Sequence, residues 1–326
     1  MEQNPKIIIV DCDHDKVDTE KAVFDKAGED FRWLHCLNEE EVIRECQGAV
    51  CFLNQYCRMN AKVFEAIPTL KFIVRYGVGV DNVNLEDATK YGVQVCNVPD
   101  YGMNEVADQA LTLMLGVVRK AWMLAERTRK GEWNYADAIP VHRLSEMTVG
   151  IVGTGRIGRE FAERVHALKC TILAYDPQYE ASGAEKLPYI TYVDTLDELL
   201  AQSDIVSLHC SLDETNRHMM NREAFAKMKD GSYLVNVSRG GLVDEAALDE
   251  ALTSGKIAGA GLDVFNNEPI EKDNPLFRHE NVLITPHEAW YSEEAALELK
   301  RKCAEEAVRF LKGEPVKYPV NHIDRA

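Results

Sequence analysis

Two parallel α/β sheets, each wound by helices, are the fold class this sequence predicts, and three observations predict it. A glycine-rich turn, Gly153-Thr154-Gly155-Arg156-Ile157-Gly158, follows a short apolar run and opens a helical pattern. Short apolar runs alternate with helical stretches both before and after that turn. At 326 residues the chain is long enough for two separate cores.

The turn is the most informative stretch. Gly153 lets the chain leave a strand sharply, Gly155 lets backbone approach a pyrophosphate, and Gly158 lets a helix pack closely on the strand. Free N–H groups at the start of that helix, expected over 159–168, face phosphate charge. A second apolar run, 171–175, ends in Asp176, about 20 positions on, where an acid is placed to grip ribose hydroxyls. Such an acid repels a 2′-phosphate, so the expected cofactor is NAD(H) rather than its phosphorylated form. The plainer alternative is a glycine-rich turn of some other α/β fold with an acid there by chance.

Before the turn, strands are expected at 6–12, 31–35, 48–53, 71–75 and 92–98. Helices are expected at 17–27, 39–46, 61–67 and 85–91. The cluster Asp11-Cys12-Asp13-His14-Asp15 has a metal site's residue types but no ligand spacing, and reads as a polar loop after a strand. No metal is expected. Arg75-Tyr76-Gly77-Val78-Gly79-Val80-Asp81-Asn82 follows a strand. Gly77 and Gly79 around Val78 expose successive N–H groups that suit a carboxylate, with Arg75 adding charge; an ordinary tight turn is the alternative. Asn97 to Gly102 breaks regular structure. A long, mostly buried helix then runs from Asn104 toward Lys120 or beyond, with Val106, Ala107, Ala110, Leu111, Met114, Val117 and Val118 at three- and four-residue spacing. Residues 127–143 read as irregular and as padding for a subunit interface.

After Asp176, strands are expected at 205–210, 233–237, 259–264 and 282–285, separated by helices at 196–202, 222–228 and 245–254. This is a doubly wound sheet whose ligand belongs at the carboxyl ends of the strands. Residues 293–312 form a long amphipathic helix, and the tail after Gly313 is polar. Three strand ends carry chemistry: Arg239 after one, Glu268 beyond Asp263 after the next, and His287 after the last. A hydride transfer to a carbonyl needs a proton delivered to its oxygen, and an imidazole suits that task near neutral pH. Glu268 is placed to orient the ring and favour its protonated form. Arg239 is placed to bind a carboxylate through its planar fork. Asp263 is a candidate contact for the nicotinamide side. Singly, each has a plainer reading, as a surface ion-pair partner, a loop acid or a satisfied histidine. At successive strand ends after a dinucleotide turn they read together as a site. His209 reads as structural or as a support for a cofactor loop, and Cys210 as a cofactor neighbour rather than a nucleophile.

The formal net charge of −17 argues against direct binding to nucleic acid or anionic membranes. Nine cysteines without a Cys-x-x-Cys read as reduced thiols and a cytoplasmic setting. No apolar run reaches membrane length, and residues 1–6 lack a signal peptide's apolar segment.

Together, 75–82, 153–158, Asn236-Val237-Ser238-Arg239-Gly240-Gly241-Leu242-Val243-Asp244 and Thr285-Pro286-His287 resemble the D-isomer-specific 2-hydroxyacid dehydrogenases over nearly the whole chain. The resemblance implies two Rossmann/flavodoxin-like domains with a cleft between them. Residues 1–100 plus 293–326 would form a discontinuous substrate-binding domain, and 101–292 the NAD-binding domain. It implies NAD-dependent reduction of a 2-keto acid to a D-2-hydroxy acid, and the reverse, with Arg239, Glu268 and His287 as the catalytic trio and His287 as proton donor. Substrate contacts fall on Arg75, Gly77, Val78 and Gly79. Cofactor contacts fall on Val106, Gly153, Gly155, Arg156, Ile157, Gly158, Asp176, Cys210, Ser211, Thr215, Val237, Ser238 and Asp263. The run His287-Glu288-Ala289-Trp290-Tyr291-Ser292-Glu293 is closest to the C-terminal-binding-protein-like branch, where the matching tryptophan walls the substrate pocket and so points to Trp290. Glu288 departs from the small or neutral residue expected there. The branch keeps open a second reading, an NAD(H)-sensing, corepressor-like binding protein with little turnover. A chain that stops soon after its last helix, without a disordered tail, favours the enzyme. The expected assembly is a homodimer.

Overall fold

The computed structural model describes residues 5–323 apart from 13, 14, 180–182 and 184. It divides into two compact units, Met1–Gly102 with Ser292–Ala326, and Met103–Tyr291.

In the first unit five parallel strands run β1 (Ile7–Ile9), β2 (Phe31–Trp33), β3 (Cys51–Asn54), β4 (Phe72–Arg75) and β5 (Gln94–Cys96), in the order β2-β1-β3-β4-β5. That order reverses at β1/β3, the flavodoxin-like arrangement. The inner strands are apolar on both faces because helices cover both. Helices α2 (Glu39–Glu45), α3 (Ala61–Ala66) and α4 (Leu85–Lys90) bury Val42, Val63, Phe64 and Ala88 with Phe52, Ile73 and Val95. Each begins at an asparagine, Asn38, Asn60 or Asn84, whose side chain accepts an N–H of the first turn. Helices α1 (Asp18–Ala27) and α11 (Glu293–Leu311) belong to the same unit. Phe310 of α11 stacks on Phe72 of β4 at 4.6 Å.

Two features of this unit were not legible as such. Asp11, read as part of a polar loop, is buried, and its carboxylate accepts the N–H groups of Gln55 (2.8 Å), Tyr56 (2.6 Å) and Cys57 (2.5 Å). Burial still holds its pKa above the usual aspartate value against those bonds. Asp13 and His14 of the same cluster lie outside the described residues. The polar tail is also structural. Asn321 is buried; its Oδ1 accepts Val95 N–H (2.7 Å) and Gln94 Nε2 (2.9 Å), and its Nδ2 donates to Val93 O and Thr89 Oγ1, both at 3.0 Å.

In the second unit seven parallel strands run β6 (Thr148–Val152), β7 (Thr171–Tyr175), β8 (Thr191–Tyr192), β9 (Ile205–Leu208), β10 (Ser232–Asn236), β11 (Ile257–Leu262) and β12 (Val282–Ile284). Their order, β12-β11-β10-β9-β6-β7-β8, reverses at β6/β9, as in a dinucleotide-binding sheet. Helices α5 (Met103–Val118) and α7 (Arg156–Ala167) cover one face through Leu113, Met114, Val117, Phe161 and Val165. Helices α8 (Leu196–Gln202), α9 (Arg222–Lys227) and α10 (Glu245–Thr253) cover the other through Leu199, Phe225, Leu248 and Leu252. A Cβ on Gly261 of β11 would come within 2.7 Å of Leu113 Cβ, so this glycine sets how closely α5 can approach the sheet.

Three expectations need correction. The long helix stops at Val118 rather than running past Lys120, because Lys120 takes a left-handed backbone (φ +53°) that breaks it. A separate helix α6 (Ala121–Arg129) follows, and a 3₁₀ turn lies at Tyr135–Ala138, within a stretch read as irregular. No residue of α6 is buried, so no periodic apolar face marked it. The helix after the glycine turn starts at Arg156, three residues before the expected start, which brings its first N–H groups directly to the turn.

Replacing Asn321 with alanine strands the buried N–H of Val95 and the carbonyl of Val93, and is expected to cost about 2–4 kcal/mol in urea unfolding. A loss under about 0.5 kcal/mol would show the tail to be a passive cover.

Candidate active site

The glycine turn sits where β6 and β9 part. Gly153 has φ +93°, and a Cβ there would lie 2.8 Å from Cys210 N, so only glycine lets the turn pass the start of the next strand's loop. On Gly158 a Cβ would lie 2.1 Å from Gly153 O, so the helix can sit on the turn only without a side chain. Gly155 precedes α7, and a Cβ there would meet nothing within 4 Å. Open space thus faces the glycine expected to admit a pyrophosphate, with the N-terminus of a twelve-residue helix behind it. Arg156 is exposed and Ile157 half-buried beside it. Asp176, at the end of β7, accepts Thr154 N–H (2.7 Å) and Thr154 Oγ1 (2.9 Å) through Oδ2, and Gln178 N–H (3.0 Å) through Oδ1. Thr154 therefore fixes the acid against the turn. The residues present fit a dinucleotide.

Beyond β9, Cys210 is half-buried, and burial pushes its thiol up to about 11, which leaves it a poor nucleophile. Ser238 Oγ donates to Cys210 O. Ser211 and Thr215 lie on an exposed loop that its own side chains organise: Asp213 accepts Thr215 N–H (2.7 Å), and Asn216 Nδ2 donates to Ser211 O (2.7 Å). The His209 ring packs on Phe161 at 4.7 Å and shares a hydrogen bond with Ser207 Oγ (2.8 Å). Burial lowers its pKa to about 3, so it is neutral and supports the loop. Val237 is buried, and Val106 is half-buried on α5.

Arg239 follows β10 in a turn clamped by the buried Asn236, whose Nδ2 donates to Arg239 O (2.9 Å) and whose Oδ1 accepts Ser238 N–H (3.0 Å). Gly240 must be glycine: a Cβ would lie 1.9 Å from Phe265 C. The turn after β10 thereby packs against the loop after β11, which carries Glu268. Glu268 Oε1 accepts Phe265 N–H (2.8 Å), and its Oε2 meets His287 Nδ1 at 2.5 Å. Burial pulls the Glu268 carboxyl upward, but the hydrogen bond and charge of His287, the Phe265 N–H and the charge of Arg239 outweigh it and hold its pKa below the usual value. Glu268 is thus a carboxylate under the influence of both other members of the expected trio.

His287 has a left-handed backbone, φ +55°, a conformation uncommon for any residue but glycine, although histidine adopts it more often than most. Asp263 holds it there. This residue, fully buried after β11, accepts Thr285 Oγ1 (2.5 Å) and Glu288 N–H (3.0 Å) through Oδ1 and Ala289 N–H (3.0 Å) through Oδ2, while its carbonyl accepts His287 N–H (2.8 Å). Burial holds its pKa above the ordinary value. Trp290 is half-buried and stands edge-on to Tyr291 at 5.6 Å.

In the first unit, Gly77 has φ +132°, and a Cβ there would lie 1.7 Å from an Arg75 guanidinium nitrogen, so the glycine makes room for that side chain. Asn97 Nδ2 donates to Val78 O (2.6 Å), and Val98 N–H to Gly77 O (3.0 Å). These bonds tie down the loop's carbonyls. The N–H groups of Val78 and Gly79 have no backbone acceptor among the described residues.

Sequence reasoning missed the anchoring of the His287 loop by Asp263, the Thr154–Asp176 bond and Gln109. The last lies at the margin of the buried face of α5, among other polar residues, and so carried no distinct signal.

Residues 111–289, more than half of the chain, match the pattern of the D-isomer specific 2-hydroxyacid dehydrogenase, NAD binding domain. The chain belongs to this family. It is 39% identical over 286 residues to D-3-phosphoglycerate dehydrogenase of Archaeoglobus fulgidus and 38% identical over 286 residues to that of Methanocaldococcus jannaschii, in each case over 87% of this chain and 54% of the relative. The chain therefore spans about half the length of the curated relatives it matches. Among solved structures it is similar to D-lactate dehydrogenase from Aquifex aeolicus complexed with NAD and lactic acid, with a TM-score of 0.85, 27% identity, and 94% of this chain and 96% of that one covered. As in the family, the second unit is an NAD-binding domain.

If His287 is what holds Glu268 down, then His287→Ala leaves burial unopposed by that partner, and the Glu268 carboxyl is expected to titrate at higher pH in a ¹³C NMR titration. In the wild type, the stability this pair contributes is present above the unfolded glutamate pKa and lost as pH falls through the lower folded value. An unmoved midpoint in the variant would assign the shift elsewhere.

Proposed function

We propose that this protein uses NADH to reduce a 2-keto acid to the D-2-hydroxy acid, and runs the reverse oxidation. The observation that carries the reading is the Glu268–His287 pair, set on strand-end loops of the same sheet as the glycine turn. NADH, when bound, supplies the hydride. Gly153, Gly155, Arg156, Ile157 and Gly158 would seat the pyrophosphate, and Asp176 the ribose hydroxyls. Val106, Cys210, Ser211, Thr215, Val237, Ser238 and Asp263 would complete the cofactor's surroundings, Asp263 mainly by shaping the loop. His287 holds a proton at Nε2 for the carbonyl oxygen, since Nδ1 is committed to Glu268. Glu268 fixes the orientation of the ring through Nδ1. Arg239 would bind the substrate carboxylate and polarise the keto oxygen. Arg75, Gly77, Val78 and Gly79 would take the carboxylate through the N–H groups of Val78 and Gly79, and Trp290 would wall the side-chain pocket, favouring an apolar or thioether substituent. A purely binding, corepressor-like role would not need an imidazole bonded to a carboxylate.

Free cysteines, all nine of them, agree with a cytoplasmic location, and no helix among the described residues is long and apolar enough to cross a membrane. A homodimer is supported by Trp122, Trp133, Tyr135 and Ile139, large apolar side chains left exposed within one segment of the second unit. Trp133→Glu should convert dimer to monomer in sedimentation velocity; a wild-type profile from that variant would place the interface elsewhere.

The functional reading is tested with His287→Ala. NADH oxidation with a panel of 2-keto acids should fall by roughly two orders of magnitude or more, while NADH affinity persists. Undiminished turnover would remove His287 as the proton donor.

A further inference from the structure

We propose that Glu288 and Gln109 form a brace that sets the position of His287, so that Glu288 is a positioning residue for the proton donor. The inference rests on the function proposed above and concerns two residues that function did not require.

Gln109 projects from α5 and its Nε2 donates to Glu288 Oε1 (2.7 Å) and, more weakly, to Thr285 Oγ1 (3.3 Å). One amide thereby grips the His287 loop on both sides of the histidine. Thr285 Oγ1 in turn donates to Asp263 Oδ1 (2.5 Å), which also accepts Glu288 N–H (3.0 Å). The loop is tied to the buried acid beneath it by backbone bonds, and to the helix beside it by a side-chain bond. The left-handed backbone of His287 makes this second tie useful. Such a conformation costs on the order of 1 kcal/mol or more and persists only when its neighbours over-determine it. If the loop relaxes, the imidazole leaves the 2.5 Å contact with Glu268 that orients it.

The residue types argue the same way. A carboxylate at 288 is an expensive choice for packing alone, because burial and then the nearby charge of Asp263 both raise its pKa. Gln109, half-buried at the margin of the buried face of α5, finds its acceptor in Glu288. Glu288 acts through the loop, since its Oε1 is turned to α5 and bonded there.

The test compares Glu288→Ala, Glu288→Gln and Gln109→Leu in the full chain. A glutamine at 288 keeps a carbonyl that accepts from Gln109, so Glu288→Gln should stay within about threefold of wild-type kcat. Glu288→Ala and Gln109→Leu should each lower kcat about tenfold, with NADH affinity unchanged, because a small displacement of a catalytic group is costly. The double variant should be no worse than either single one. Amide exchange reads the brace without substrate: Glu288 and Ala289 should lose about tenfold protection in Glu288→Ala and keep it in Glu288→Gln. Should Glu288→Ala fail to fold, Gln109→Leu gives both readouts. Wild-type kcat and protection in Glu288→Ala or Gln109→Leu, or multiplicative losses in the double variant, would overturn the brace. A wild-type chain inert toward every keto acid, yet with exchange behaving as expected, would instead overturn the function and leave the brace standing.

Discussion

The buried carboxylate of Asp263 is the constraint on which the candidate site depends. It is removed from water, held above its ordinary pKa by that burial, and bonded by three donors from a single loop. Hydrogen bonds to an ionised group contribute about 1.5–3 kcal/mol each, while an unpaired buried acid costs several kcal/mol, so the loop and the acid stabilise one another or fail together. His287 is held in a backbone conformation it would not choose, and its Nδ1 is delivered to Glu268. Asp11 plays the matching structural part in the first unit, gathering three consecutive N–H groups of the loop after β3. In both units a parallel sheet buries an acid at a strand end and uses it to shape a loop.

Much of this was legible in the chain. The steric need for glycine at 153 and 158 was legible from their spacing, because the demands of a tight turn depend largely on local residues. The strands were legible because parallel strands covered on both faces are continuous apolar runs. The strand ends that carry Arg239, Glu268 and His287 were legible as neighbours only through the topology that places successive strands side by side.

What was hidden depends on contacts between residues distant in sequence. Asp263 looked like a cofactor ligand, and only the fold turns its carboxylate toward 285–289. Asn321 looked like part of a solvated tail, yet its amide completes the edge strand β5. Helix α6 has no buried face and so no periodic signature, while β8 is two residues long, too short for any pattern to register. Glu288 was visible as an oddity, an acid after a histidine, and Gln109 as one of several polar residues on α5, but nothing in one dimension says that they meet.

The family supplies the cofactor and the two-sheet architecture, and the site supplies the chemistry. The most direct measurement follows the hydrogen atom. The protein is incubated with NADH carrying deuterium at both C4 positions and a 2-keto acid, and the product is analysed by mass spectrometry and chiral chromatography. The account predicts a D-2-hydroxy acid carrying deuterium at C2. A product without the label, or of the opposite hand, would contradict it.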